Sequence, residues 1–139
     1  MLNVSHVQRI FLARAVADMR KGINGLAAMV TDRLDKDPLS GDLFVFVNRH
    51  RTMMKLLMWE VSGFWLATKR LERGTFAVRG RVGSGQASGC QMLSVAEVMN
   101  IIEGIDVHRA VYHQHYHAGD KGGPAKESRV QKETLTPLL

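Results

Sequence analysis

Met53-Met54-Lys55-Leu56-Leu57-Met58-Trp59-Glu60-Val61-Ser62-Gly63-Phe64-Trp65-Leu66-Ala67-Thr68-Lys69-Arg70-Leu71 reads as two apolar strands, Met53 to Val61 and Phe64 to Leu71, split by Ser62-Gly63, the pattern of a β-hairpin. With a loop of two or of four residues, odd positions in the first strand pair with even positions in the second, and this parity sorts the faces. One face carries Met54, Leu56, Met58, Trp65, Ala67 and Leu71, apolar bulk enough to pack under helices. The other carries Lys55, Leu57, Trp59, Phe64, Leu66, Thr68 and Arg70. Its aromatics have two readings. Trp59 and Phe64 could stack on a splayed base between basic neighbours, or fill core beneath a second layer while Lys55 and Arg70 reach past the edge; core filling is favoured.

Outward from the hairpin, Leu43 to Val47 is an unbroken apolar run between Ser40-Gly41-Asp42 and Asn48-Arg49, as expected of a short buried strand. Val7 to Val16 is rich in strand formers and predicts a first strand. Asp18 is placed to cap a helix whose Met19, Ile23, Leu26, Val30 and Leu34 recur at steps of three and four, with Pro38 as its stop. Gly22 and Gly25 each weaken that helix by roughly 1 kcal/mol relative to alanine, and close approach to a sheet is the expected compensation. Gly80 to Gly89 has the composition of a flexible connector. Ser94 with Glu97 forms a capping box, Leu93 with Val98 a hydrophobic staple, and Gly104-Ile105 a helix stop. Beyond Val107 the periodicity fades, and Gly119 to Lys132 has a disorder-type composition. These elements predict an α+β fold: a small antiparallel sheet with a central β-hairpin packed against two helices, followed by a flexible tail. Residues 1–107 are expected as one domain with a flexible Gly-rich loop over 80–89, and 108–139 as a His-containing disordered tail.

A chain of 139 residues, 45% of them apolar, is long enough for one real core and too short for two ordinary domains. The start, Met1-Leu2-Asn3-Val4-Ser5-His6, has no basic region leading into an apolar segment, and no run approaches the ~20 apolar residues that span a bilayer. A cytoplasmic place without membrane contact is expected. The lone Cys90 can form no internal disulfide and begins no thiolate metal site.

The formal charge of +6 is concentrated. Residues 49–81 hold eight basic side chains, Arg49, Arg51, Lys55, Lys69, Arg70, Arg73, Arg79 and Arg81, against Glu60 and Glu72. Such a local field suits a polyanion, since each neutralised phosphate releases condensed counterions; a solvated hairpin face is the plainer alternative. All eight are candidate nucleic-acid contacts, with Arg49, Arg51, Arg70 and Arg73 foremost because they flank the strands.

Other constellations carry less. His113, His115 and His117 alternate, so in an extended strand three imidazoles could converge on Zn²⁺. The neighbouring sequence does not suggest a carboxylate second shell to orient them, and adventitious metal capture by a tail is the favoured reading. Asp18, Asp32, Asp35, Asp37 and Asp42 could suggest a two-metal site for strand transfer, yet a cap, a solvated helix end and turns explain them. Gly80-Arg81-Val82-Gly83-Ser84-Gly85 lacks the lysine and following helix of a phosphate loop. No nucleophile elbow occurs. No catalytic residue and no cofactor is expected.

Several blocks in one order resemble the TnpB accessory proteins of the insertion-sequence sixty-six family. They are Asp18-Met19-Arg20-Lys21-Gly22-Ile23-Asn24-Gly25-Leu26, Asp37-Pro38-Leu39-Ser40-Gly41-Asp42-Leu43-Phe44-Val45-Phe46, Lys55-Leu56-Leu57-Met58-Trp59 and Lys69-Arg70-Leu71-Glu72-Arg73-Gly74-Thr75-Phe76, with Leu93-Ser94 and Ile102-Glu103-Gly104-Ile105-Asp106 later. The resemblance covers about Val7 to Val107. It implies a non-catalytic protein encoded beside a separate transposase and assisting movement of the element, unrelated to the RNA-guided nucleases that share the TnpB name. The chain departs from the pattern at Asn48-Arg49-His50-Arg51, Met58-Trp59, Glu60-Val61-Ser62-Gly63 and Phe76-Ala77-Val78, where the family often has an arginine- and glycine-rich turn, paired tryptophans, an aspartate-glycine loop and a Trp-Pro. The expected partners are therefore element DNA, through the 49–81 region, and the transposase of the same element, with oligomerisation open. The rival expectations are a protein-interaction subunit that never touches DNA and a metal-dependent nuclease using His113, His115 and His117.

Overall fold

The run Leu43–Val47 forms a strand in which every residue is buried, because it lies in the middle of a sheet covered on both faces. In the computed structural model, which describes residues 9–103, 105–106 and 111–112, the elements in chain order are β1 (Ile10–Ala13), α1 (Ile23–Asp32), β2 (Leu43–Val47), β3 (Met53–Glu60), β4 (Gly63–Arg70), β5 (Cys90–Leu93), α2 (Val95–Ile102), β6 (Ile105–Asp106) and β7 (Val111–Tyr112). The first five strands make one sheet in the order β4-β3-β2-β1-β5, and β6 pairs with β7 separately. The α+β class and the hairpin are as expected, but the hairpin sits at one end of the sheet and not at its centre, with β4 as an edge strand. The sheet itself is mixed rather than purely antiparallel: β1 and β2 run parallel, Ile10 opposite Leu43. The reason is α1, which carries the chain back along the sheet between them, as a parallel pair requires.

Side-chain alternation on β2 divides the interior. Leu43, Val45 and Val47 join Ile10, Leu12, Met54, Met58, Val98 and Ile101 in one buried cluster, on the α2 side. Phe44 and Phe46 point the other way, into a cluster with Phe11, Leu26, Met29, Val30 and Leu57 on the α1 side. The helices thus cover opposite faces. Burying each such side chain contributes roughly 1.5–3 kcal/mol, so the alternation on one short strand specifies both layers. Phe76 and Val78, beyond the hairpin, fold back into the α2-side cluster, anchored where the Phe76 N–H donates to the Arg51 carbonyl at 2.8 Å.

The hairpin has the expected parity, Met58 opposite Trp65 and Leu56 opposite Ala67, and its loop is the two residues Val61 and Ser62. Trp59 and Phe64 meet edge to face, ring centroids 5.1 Å apart. Phe64 and Leu66 are half-buried and packed against the α1-side cluster, which supports the core reading of that face.

Three local expectations are corrected. The first strand is only Ile10–Ala13; past it, Ala15 bridges Gly83 and the Ala17 N–H bonds the Val47 carbonyl. The first helix begins at Ile23 with Gly22 as an N-cap lacking any side-chain hydrogen bond. Asp18 instead accepts from the backbone N–H and the guanidinium of Arg20, a local turn that competes with helix entry. The helical glycines do not serve close packing on the sheet: a Cβ on Gly22 would meet nothing within 4 Å, and one on Gly25 would touch the side chain of Lys21 at 3.2 Å. The second helix starts as its sequence requires. Ser94 Oγ accepts from the Glu97 N–H and the Glu97 carboxylate accepts from the Ser94 N–H, a complete capping box, with Leu93 and Val98 buried in one cluster. The Gly104 stop and the tail beyond Tyr112 lie outside the described residues.

Candidate nucleic-acid interface

The turn between β2 and β3 is built by Asn48. Its carbonyl accepts from the Arg51 N–H, its side-chain Oδ1 accepts from the N–H groups of Thr52 and Met53, and its own N–H returns to the Met53 carbonyl. An asparagine side chain that mimics backbone acceptors fixes such turns. Arg51 is thereby held at φ +59°, a left-handed conformation uncommon for a bulky residue.

Across from this turn lies the Gly-rich segment expected from composition to be a flexible connector. The structure ties it down at several points. The Gly83 N–H donates to the Arg14 carbonyl and the Arg14 N–H to the Gly89 carbonyl. Arg33, the last-turn cap of α1, donates from Nη2 to the carbonyls of Gly85 and Ala87 at 2.5 and 2.8 Å, while its own carbonyl accepts from Gly89. Between turn and segment opens a cleft of about 350 Å³ lined by Val16, Arg49, Arg51 and residues 82–85.

Of the eight basic candidates, the structure brings Arg49 and Arg51 together at this cleft and sets the others apart. Lys55 Nζ donates to the carbonyls of Met19 and Lys21, both at 2.9 Å, pinning the approach to α1. Lys69 Nζ reaches the Ile102 carbonyl at the end of α2 at 2.8 Å, where a cation complements the helix dipole. Arg70 pairs with Glu72 at the surface at 2.9 Å. Arg81 pairs with Glu97 at 3.2 Å. Arg73 is half-buried just beyond β4, and Arg79 is exposed. Neither Arg49 nor Arg51 has an ion-pair partner among the described residues.

The carboxylates do not gather. Asp18 is held well below the usual carboxylate range by the hydrogen bond from the Arg20 side chain. Asp42 is buried at 3% exposure, bound by Arg9 through two hydrogen bonds and by the Ser40 hydroxyl. Among the described residues no three His, Cys, Asp or Glu side chains are placed to share a metal ion; His113, His115 and His117 lie outside them. Burial raises the Cys90 thiol pKa. No helix among the described residues is long and apolar enough to cross a membrane.

The charge block pointed to Arg49 and Arg51, whereas Val16 and Arg33 gave no signal and residues 82–85 were set aside because they lack the lysine and following helix of a phosphate loop. The one signal present was Gly83-Ser84-Gly85, whose small side chains leave backbone open to a ligand.

Comparison with known proteins places the chain. A family model described as "IS66 Orf2 like protein" matches residues 8–112. Two curated relatives come from Sinorhizobium fredii (strain NBRC 101917 / NGR234), and both are named as uncharacterized proteins. The one designated y4jC is 41% identical over 76 residues, which is 55% of this chain and 65% of that relative, so the chain spans just under two thirds of its length. The one designated y4hO is 36% identical over 98 residues, 70% of this chain and 81% of the relative. No solved structure matches at a significant level.

Proposed function

We propose that this chain, which belongs to the IS66 Orf2-like family of insertion-sequence accessory proteins, binds the phosphate backbone of element DNA around Arg49 and Arg51. In this reading a second surface contacts the separately encoded transposase, and the chain itself carries out no bond chemistry. One observation carries the DNA half. In the most basic segment of the chain, two guanidinium-bearing residues share a cleft and have no ion-pair partner among the described residues. Uncompensated arginines at a groove are the residues that displace counterions from phosphates. Lys55, Lys69, Arg70 and Arg81, by contrast, already have protein partners. They, with Arg73 and Arg79, enter this reading as contributors to the surrounding field.

The test is DNA affinity against salt for the wild type and for Arg49→Ala, Arg51→Ala and the double variant. Removing one phosphate-binding guanidinium should flatten the log–log slope by roughly one unit, for all sequences alike. Absence of salt-dependent binding by the wild type would leave a protein-interaction subunit as the better reading. That alternative has its own support, since Val95 and Met99, one turn apart on α2, are 43% and 37% exposed.

A further inference from the structure

We infer that the cleft between the Asn48–Arg51 turn and residues 82–85 is a seat for a single phosphate group of a nucleotide unit, rather than a stretch of generally basic surface. This deepens the DNA reading and rests on it only for the source of the phosphate. Four features argue for a seat.

The main chain that carries Arg51 into the cleft is fixed. The Arg51 N–H donates to the Asn48 carbonyl at 3.0 Å and its carbonyl accepts from Phe76 at 2.8 Å, so the left-handed backbone at Arg51 is fixed from both sides. Strained backbone held in this way is characteristic of ligand-clamping turns.

The opposite wall offers donors. Ser84 Oγ accepts weakly from the Gln86 N–H at 3.3 Å, which leaves its proton free for a phosphate oxygen. The N–H groups of Ser84 and Gly85 enter no hydrogen bond among the described residues, whereas Gly83 N–H is used. Successive main-chain N–H groups left without partners in residues that line a cleft are the raw material of an anion-binding concavity.

The wall is also braced from behind, because Arg33 grips the carbonyls of Gly85 and Ala87. Held at those two carbonyls and at the Gly83 N–H, which donates to the Arg14 carbonyl, the segment has less freedom to lose on binding than an untethered loop.

Finally, size and lining select the ligand. A volume of about 350 Å³ lies near the lower end of small-ligand cavities, roughly 300–1,000 Å³, and exceeds what a bare phosphate fills. Val16 and Val82 supply apolar wall for an attached sugar. Nucleotide phosphate is the chemistry that matches two guanidinium groups, a hydroxyl, two N–H groups and an apolar flank together.

Gly85 gives a test that removes no charge. A Cβ there would lie 3.8 Å from Val16 Cγ2, an ordinary contact, on a backbone that is not left-handed, so Gly85→Leu fills the cleft from the Val16 side. The full chain is titrated with inorganic phosphate, with a deoxynucleoside 5′-monophosphate, and with an oligonucleotide carrying or lacking a 5′-phosphate. Binding is followed by calorimetry and by amide NMR shifts. The expected result is saturable phosphate or monophosphate binding that shifts the amides of residues 49–51 and 83–85 and weakens by roughly tenfold or more in Arg51→Ala and Gly85→Leu. A 5′-phosphate dependence identifies a strand end as the source, and equal binding identifies internal phosphodiesters. Salt-dependent DNA binding with no amide shift in either segment, or with full affinity in a folded Gly85→Leu, overturns the seat and leaves the DNA reading intact. Monophosphate binding without DNA binding does the reverse. Should Gly85→Leu not fold, the wild-type shift map alone decides.

Discussion

Arg33 donates from its Nη2 to the carbonyl oxygen of Gly85, 52 residues further along the chain, at 2.5 Å, and so fastens the end of the first helix to the loop that closes the candidate cleft. Since a second bond from the same nitrogen reaches Ala87, one side chain organises most of the segment. Arg33→Ala should speed amide exchange and proteolysis within residues 80–89 while leaving exchange in β2 and β3 unchanged, because only local opening is made easier. Uniform acceleration across the sheet would mean that Arg33 supports global stability instead.

At the tip of the hairpin, Val61 sits at φ +58° and is 92% exposed. A β-branched residue held left-handed costs about 1–2 kcal/mol, and Val61 has no burial to offset it. Val61→Gly should therefore raise the unfolding free energy by about 1 kcal/mol, read from denaturant midpoints at constant m-value. A lower midpoint would show that the turn relaxes in solution.

Two ion pairs of similar length should differ in worth. Arg9 and Asp42 meet at 2.8 Å with the carboxylate almost fully buried, whereas Arg20 and Asp18 meet at 2.6 Å with the arginine side chain 91% exposed. Removing Arg9 strands a buried acceptor, so Arg9→Ala should cost about 1–3 kcal/mol; the exposed pair is screened by solvent, and Arg20→Ala should leave stability nearly unchanged. Equal losses in chemical denaturation would contradict this ranking.

The capping box couples α2 to pH. The Glu97 pKa is lowered chiefly by the hydrogen bond from the Ser94 N–H, helped by the Ser94 hydroxyl and Arg81. A lowered folded-state pKa means the unfolded chain binds the proton more readily. The stabilisation is then complete above the unfolded glutamate pKa and is lost as pH falls through the depressed folded value. Glu97→Gln should remove that part of the acid sensitivity, and Ser94→Ala should cost about 1 kcal/mol near neutrality. A thermal-melt series across acidic pH for the three proteins checks both.

What could be read from the chain follows the range of the interactions concerned. β2 and the hairpin were legible because burial on both faces gives an unbroken apolar run and two-residue periodicity fixes register. The α2 cap was legible because Ser94 and Glu97 satisfy each other within one turn. The α1 start was not, since Asp18 can cap a helix or bind Arg20, and geometry alone decides. The strand Cys90–Leu93 carries no alternation of its own; it is a strand because β1 offers it an edge. The cleft was invisible for the same reason, as Val16, the 48–51 turn and residues 82–85 are neighbours only after β1, β2 and the Gly-rich segment are in place.

Ile10 pairs on one side with Leu43 and on the other with Leu93, so β1 is completed only by contacts that close long loops. The hairpin closes over a two-residue loop and can form first, whereas β1 must wait for partners that require long loops to be closed, the slowest class of contact. During synthesis, a nascent chain that has not yet exposed Leu93 presents a buried-type apolar strand with an unpaired outer edge. Such an exposed edge favours misassembly, and a chain cut off between β2 and β5 would keep the outer edge of β1 without its β5 partner.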